Sequence, residues 1–144
     1  MAEKLFTKAE KEQIVAAIKA AELQTSGEIQ VHMESHCKGD VLDRAADVFA
    51  KLKMHKTQLR NGVLFYLAVE DKKFAVLGDA GINAAVPEDF WNSIKEEMLL
   101  HFKQGQFVAG LVTGIQKSGE ALKSHFPYDS DTDENELSDE ISFG

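Results

Sequence analysis

The sequence predicts an α/β domain in which a small mixed β-sheet lies between two layers of helices. Helical and strand patterns follow one another in the order α-β-α-β-β-α-α. The segment GVLFYLAV, residues 62–69, is continuously apolar, as expected for a central strand that is buried on both faces. A helix joins the strand at 28–34 to this one, so the two are expected to be parallel. The strand at 74–78 follows a tight turn and should return antiparallel.

The first half of the chain contains two predicted helices with a strand between them. Thr7 and Glu10 have the spacing of a capping box, and apolar residues recur behind them with helical periodicity. Residues 28–34, EIQVHME, alternate between apolar and polar, which predicts a strand with one polar face. Asp40 can cap a second helix that runs to about Lys53. The expected inner face of this helix consists of Leu42, Ala45, Ala46, Phe49 and Leu52.

The second half begins with a hairpin and ends with two helices. The turn EDKK connects the strand at 62–69 to the returning strand at 74–78. Pro87 suits the first turn of a helix, which predicts a helix over about 87–103. A last helix is predicted at about 106–123, because its apolar residues share one face.

The charged residues are unevenly distributed. The segment 129–140, DSDTDENELSDE, contains seven acids and no Lys or Arg, and it carries nearly all of the net charge of −8. This predicts a folded domain at 1–126 and an acidic tail at 127–144, whose closing residues EISFG could dock back on the domain. The nearly neutral body lacks the basic face that nucleic-acid binding requires, so nucleic acid is not an expected partner.

Hydropathy and cysteine content indicate a location. No stretch approaches the roughly 20 apolar residues of a membrane span, and the start, MAEKLFTKAEKEQ, lacks the apolar centre of a secretory signal. Cys37 is the only cysteine, so an internal disulfide cannot form. We therefore expect a cytoplasmic protein without a membrane span.

Oxygen-bearing side chains from separate segments are expected to meet at one edge of the sheet. Within residues 77–91, LGDAGINAAVPEDFW, Asp79 ends the returning strand and should lie near Arg60 and Asn61. The parallel strand would place Glu28 at the same edge. Ca²⁺ binds about six to eight oxygens of this kind, and glycines let backbone carbonyls turn toward an ion. The candidate cation ligands are Asp79, Asn83, Glu88, Asp89 and Glu28, supported by Arg60, Asn61, Gly78 and Gly81.

The same residues also have a purely structural interpretation. Glu88 and Asp89 would complement the positive end of a helix that begins at Pro87. Asp79 would simply pair with Arg60. Clustered acids are often structural, so the residue types alone leave both interpretations open.

The sequence resembles the TPM domain family in four segments that occur in the family's order. The resemblance covers about residues 5–126, nearly the whole predicted domain. The segments are Gly27-Glu28 at a strand start, Asn61-Gly62 before VLFYLAV, Gly78-Asp79-Ala80-Gly81-Ile82, and FKQGQFVAG at 102–110.

The resemblance implies a three-layer α/β/α fold and a divalent-cation site, often for Ca²⁺, in loops at the sheet edge. Asp89 matches the family's expected acid, whereas Asp79 stands where many members carry an aromatic residue. We therefore expect an interaction or regulatory module that binds Ca²⁺ or Mg²⁺, with an unidentified protein as a possible partner.

The alternative function is a weak metal-dependent acid phosphatase acting on phosphoesters, as the resemblance implies for some relatives. The sequence contains neither a Cys-x5-Arg loop nor an Asp-x-Asp motif after an apolar strand. Chemistry therefore does not follow from the residues themselves, and the fold alone does not supply it.

Overall fold

The described part of the chain, residues 5–128 and 140–144 of a computed structural model, contains helices that pack on a mixed sheet. A short 3-10 helix, Met54–Lys56, follows the second α-helix. The helices are α1 (Lys8–Glu22), α2 (Val41–Lys51), α3 (Ala80–Ala85), α4 (Asn92–Lys103) and α5 (Phe107–Leu122). The strands are β1 (Glu28–Glu34), β2 (Gly62–Ala68), β3 (Lys73–Gly78) and β4 (Ser142–Phe143).

The strands form one sheet in the order β3-β2-β1-β4. β1 and β2 are parallel, and their register runs from Glu28 opposite Gly62 to Glu34 opposite Ala68. β3 is antiparallel to β2, and β4 is parallel to β1. These pairings confirm the predicted mixed sheet and the α/β/α fold class. Residues 129–139, which contain most of the predicted acidic tail, lie outside the described residues.

The two faces of the sheet bury different kinds of side chain. On one face, apolar side chains of β1, β2 and β3 form the main core with α1, α4 and α5. On the other face, Leu64 and Tyr66 of β2 and Ala75 of β3 form a smaller core with α2. The side chains of β1 on this second face are polar, yet Gln30, His32 and Glu34 are buried. The polar face predicted for this strand therefore points into the protein rather than into solvent.

The predicted caps of the first two helices are confirmed. The Thr7 hydroxyl accepts from the Glu10 backbone N–H at 3.1 Å, and the Glu10 carboxylate accepts from the Thr7 N–H at 2.8 Å. The Asp40 carboxylate accepts from the Leu42 N–H at 2.9 Å and caps α2.

The predicted inner face of α2 is partly wrong. Leu42 is 52% exposed and Ala46 is also exposed, whereas Val48 is buried. Ala45, Phe49 and Leu52 pack inward as predicted, but Val41 and Val48 take the places predicted for Leu42 and Ala46.

The helix predicted over 87–103 begins later than expected. Two separate helices occupy this part of the chain, α3 directly after β3 and α4 from Asn92. Asp79 caps α3, because its carboxylate accepts from the Ala80 N–H at 2.8 Å. The segment from Pro87 to Trp91 forms turns, in which the Asp89 carbonyl accepts from the Asn92 N–H. Glu88 and Asp89 consequently precede α4 and are not part of its first turn. None of the helices in residues 5–128 is long and apolar enough to cross a bilayer.

Candidate functional site

A carboxylate–guanidinium pair lies at the end of the sheet where β2 begins and β3 ends. The Arg60 Nε and Nη2 atoms donate to the two carboxylate oxygens of Asp79 at 2.7 and 2.8 Å. Asp79 is 7% exposed, whereas half of the Arg60 side chain is exposed. Burial alone would raise the pKa of Asp79, but Arg60 and the Ala80 N–H lower it overall. Asp79 was interpreted either as a cation ligand or as the partner of Arg60, and in this structure it is paired with Arg60.

Backbone contacts hold this pair in place. Arg60 adopts a left-handed φ of 52°, and its carbonyl accepts from the Gly81 N–H at 2.8 Å. A Cβ atom at Gly81 would overlap the carbonyl oxygen of Leu59, so only glycine allows this approach. Neither Gly78 nor Gly81 has a left-handed φ. Positive φ therefore does not explain either glycine, and close packing explains Gly81 instead.

Two more predicted residues lie at the same edge. Glu28 begins β1 opposite Gly62, and its N–H donates to the Asn61 carbonyl at 3.1 Å. The Asn61 Nδ2 atom donates to the Ser26 carbonyl at 3.1 Å. Both Glu28 and Asn61 are buried. The topology thus brings together residues far apart in sequence, as the parallel arrangement of β1 and β2 predicts.

The remaining predicted ligands are exposed between β3 and α4, with Asn83 on α3 and the two acids in the turn after it. Asn83, Glu88 and Asp89 are all solvent-exposed. The Asn83 Nδ2 atom donates to the Gly78 carbonyl at 3.2 Å, and the Asn83 N–H donates to the Asp79 carbonyl. Within residues 5–128 and 140–144, no three His, Cys, Asp or Glu side chains are grouped closely enough to hold a metal ion. The described acids therefore do not form a preassembled carboxylate cage.

A second polar cluster lies along β1, next to α2. Glu34 accepts from Arg44 Nε and Nη2 at 2.8 and 2.7 Å, and also from the Tyr66 hydroxyl. The His32 Nε2 atom lies 2.9 Å from the Glu34 carboxylate, and the His32 Nδ1 atom lies 2.8 Å from the Ser142 hydroxyl. The cluster joins α2, β1, β2 and β4 through one buried carboxylate.

Opposing effects set the pKa values in this cluster. Burial alone would raise the pKa of Glu34, but the hydrogen bonds from Arg44, Tyr66 and His32 lower it to about 2. Burial lowers the pKa of His32, although Glu34 opposes that effect. Burial also raises the pKa of Tyr66, and the bond to Glu34 adds to the increase. At neutral pH the cluster is therefore a carboxylate paired with a guanidinium, beside a neutral phenol.

The sequence contained one signal for this cluster. The polar residues of β1 occupy alternate positions, and β1 pairs with β2, which is apolar throughout. Polar side chains on a strand inside a sheet are usually buried, and buried polar groups need hydrogen-bond partners. Their partners come from α2, β2 and β4, and the periodicity of the sequence does not predict where α2 and β4 pack.

The protein is a mixed α/β domain, and an Asp–Arg pair lies beside the start of its two parallel strands, β1 and β2. The family model of the TPM domain matches residues 2–121. The chain belongs to the TPM domain family.

Solved structures agree with this assignment. The BA42 protein from the psychrophilic bacterium Bizionia argentinensis is 52% identical, with a TM-score of 0.91, over 96% of this chain and 95% of that chain. The N-terminal domain of a P. gingivalis protein is 18% identical, with a TM-score of 0.70, over 87% and 83% of the two chains. The N-terminal domain of the cg2496 protein from Corynebacterium glutamicum is 14% identical, with a TM-score of 0.65, over 81% and 73%. These last two show a shared fold only. No curated protein matches the chain.

Proposed function

We propose that this TPM domain binds a divalent cation, Ca²⁺ or Mg²⁺, on the loop between β3 and α4, and that it acts as an interaction or regulatory module. The observation that supports the proposal is the exposure of three oxygen-bearing side chains between β3 and α4: Asn83 on α3, and Glu88 and Asp89 in the turn that follows it. Carboxylate and amide oxygens are the ligands that Ca²⁺ prefers.

The proposed ligands differ in availability. Asn83, Glu88 and Asp89 are open to solvent, whereas both oxygens of Asp79 accept from Arg60. An ion at Asp79 would compete with the positively charged guanidinium for the same two oxygens. Glu28, buried at the same edge, completes the predicted set.

The expected affinity is low. An ion held mainly by two exposed carboxylates and an amide must complete its shell with backbone carbonyls and water. Rigid sites with many charged ligands bind Ca²⁺ tightly, whereas sites with few charges have dissociation constants on the order of 10⁻⁴ to 10⁻³ M. We therefore propose a site in the weak range.

An amide-resolved NMR titration of the full chain with Ca²⁺, repeated with Mg²⁺, tests the proposal. Residues 78–90 are expected to shift, and Asp89→Asn should weaken binding by about tenfold, equivalent to about 1.4 kcal/mol. Asp47→Asn is the matched control, because Asp47 is an exposed acid on α2 that is not among the proposed ligands. Shifts confined to the acidic residues 129–140, or an Asp89→Asn variant that binds like the original chain, would contradict the proposed site.

A second candidate is a weak metal-dependent acid phosphatase. The matching family model carries the word phosphatase in its name, and Arg60 offers a half-exposed guanidinium at the same edge. In this reaction Arg60 would hold the phosphoryl oxygens and Asp89 would take a proton from the water that attacks phosphorus, while the bond from phosphorus to the ester oxygen breaks and that oxygen leaves and takes a proton from solvent. Hydrolysis of an aryl phosphate by the chain and by Asp89→Ala tests it, and equal rates would remove Asp89 from the reaction.

We also propose a cytoplasmic location and a protein partner. The location is supported by the buried free thiol of Cys37, the only cysteine of the sequence. Cell fractionation that recovered the chain with membranes or in an oxidising compartment would contradict it.

A further inference from the structure

A short C-terminal segment closes one edge of the sheet. In β4, Ser142 lies opposite His32 and Phe143 lies opposite Met33. The Gly144 N–H continues the pairing by donating to the Met33 carbonyl at 2.9 Å. Without β4, β1 would be an edge strand with a row of open backbone groups, which is a template for pairing with another chain.

Two residues of the segment fit the polar cluster on the α2 side of β1. The Ser142 hydroxyl lies 2.8 Å from His32 Nδ1. A Cβ atom on Gly144 would lie 2.5 Å from Glu34 Oε1 and 2.9 Å from His32 Nε2, closer than real Cβ atoms approach. The groove therefore accepts a hydroxyl at one position, and two residues later any side chain would have to displace Glu34 and His32 atoms that hydrogen bonds hold in place.

The alternate residues fit the opposite side of the sheet. Phe143 is half-buried and packs against the main core, with Lys11 Nζ 5.6 Å from the centre of its ring. Ile141 packs against the same core. Alternation of side chains along an extended strand thus gives the groove a four-residue preference, in the order apolar, hydroxyl, aromatic, glycine.

We propose that the groove along β1 is a peptide-binding site, that residues 141–144 occupy it as an internal ligand, and that an extended segment of a partner protein with the same four-residue pattern takes their place. In this mode of recognition the backbone bonds supply affinity, and the alternate side-chain pockets supply specificity. The docked segment provides both kinds of contact through four consecutive residues. An unattached peptide of the same sequence can therefore make the same contacts.

The internal ligand sets the affinity that a partner needs. A segment tethered by a short connection has an effective concentration on the order of millimolar. A partner peptide must therefore bind the groove more tightly than the tethered segment does, or bind a chain whose own segment has already left the groove. The proposal goes beyond the cation-binding function, since β4 lies beside β1 and the cation loop follows β3 at the other edge of the sheet.

Fluorescence anisotropy of a labelled peptide with the sequence of residues 138–144, SDEISFG, tests the proposal. The full chain carrying Phe143→Asp should bind the peptide, because the charge removes its own segment from the apolar pocket. The original chain should bind more weakly, because its own tethered segment competes at a concentration on the order of millimolar; a peptide with a dissociation constant of about 0.1 mM would then bind about tenfold more weakly. EDTA is present throughout, so loss of the cation site cannot affect the result.

Matched controls distinguish binding in the groove from non-specific binding of the peptide. Leu100→Asp makes the same kind of change at a leucine that is 63% exposed on α4, and this variant should behave like the original chain. A peptide with Gly144→Val should not bind Phe143→Asp, because the groove has no space for its side chain. If Phe143→Asp does not fold, as judged by circular dichroism, full-length Gly144→Ala replaces it.

Three results would overturn the proposal. A folded release variant that fails to bind the peptide at about 1 mM, the range of the tethered segment, would show that the groove is not a peptide site. Equal binding of the Gly144→Val peptide would refute the pattern. Dimers of the original chain that disappear in Phe143→Asp, detected by sedimentation, would identify a second copy as the occupant instead of a different protein.

Discussion

Replacing Glu34 by Gln tests how far one buried carboxylate stabilises this fold. Glu34 is 6% exposed and accepts hydrogen bonds from Arg44, Tyr66 and His32. Glutamine has nearly the same shape but removes the charge, and its NH₂ group faces donors instead of accepting from them. The substitution therefore isolates the electrostatic part of the cluster.

The expected loss is about 3 kcal/mol of unfolding free energy at pH 7. The pKa of Glu34 is lowered from 4.5 to about 2, and each step of one in pKa corresponds to about 1.4 kcal/mol. Removing one partner of a buried ion pair costs about 3–5 kcal/mol. The Arg44 side chain is 30% exposed and regains some hydration, which keeps the expected loss at the lower end of that range.

The loss should depend on pH in a defined direction. Because the folded state lowers the pKa of Glu34, its charged form stabilises the fold fully above pH 4.5, and this contribution disappears as pH falls toward 2. The difference between Glu34→Gln and the original chain should be greatest at neutral pH and fall to less than half at about pH 3.

Urea unfolding followed by circular dichroism at both pH values measures this difference. Glu96→Gln is the matched control, since Glu96 is exposed on α4, and we expect a change within about 0.5 kcal/mol. A loss below about 1 kcal/mol for Glu34→Gln at pH 7, against the 3–5 kcal/mol typical of a broken buried pair, would refute the reasoning. A loss that does not change with pH would refute it as well.

Four other substitutions test local features of the fold. Asp79→Ala removes the cap of α3 and should lower the unfolding free energy, measured with urea, by about 1–2 kcal/mol. Because the folded state lowers the pKa of Asp79, this loss should become smaller in acid. A loss of the same size in acid would contradict the stabilising role of the Asp79 charge. Gly81→Ala should cost about 3 kcal/mol, because its Cβ atom meets a backbone carbonyl. Gly27→Ala should cost less than about 1 kcal/mol, since its nearest neighbour is at 3.4 Å, and equal losses would refute the contrast. Asp71 raises the pKa of His36, so Asp71→Asn should lower that pKa in an NMR titration, and an unchanged value would show that the contact is absent in solution.

Much of the fold follows from local sequence patterns. The apolar run in β2 and the alternation in β1 predicted both strands to within a residue or so of their observed ends, because burial and side-chain period act locally. The α-helix that the prediction missed is α3, a short helix that contains Gly81 and is capped by Asp79. The next helix, α4, begins at Asn92 and not at Pro87 as predicted.

The candidate sites were only partly predictable. Parallel pairing of β1 and β2 correctly brought Glu28 and Asn61 to the edge where Asp79 meets Arg60. The buried cluster at Glu34 was not predictable, because its partners come from elements whose positions depend on tertiary packing. The docking of the residues EISFG was anticipated, but their pairing with β1 and its register were not.

A crystal grown with millimolar Ca²⁺ tests the proposed cation site most directly. We expect an ion on the loop between β3 and α4, with oxygens of Asp89 and its neighbours at about 2.3–2.6 Å. A crystal in which this loop holds no ion, while Asp79 remains paired with Arg60, would contradict the proposed function.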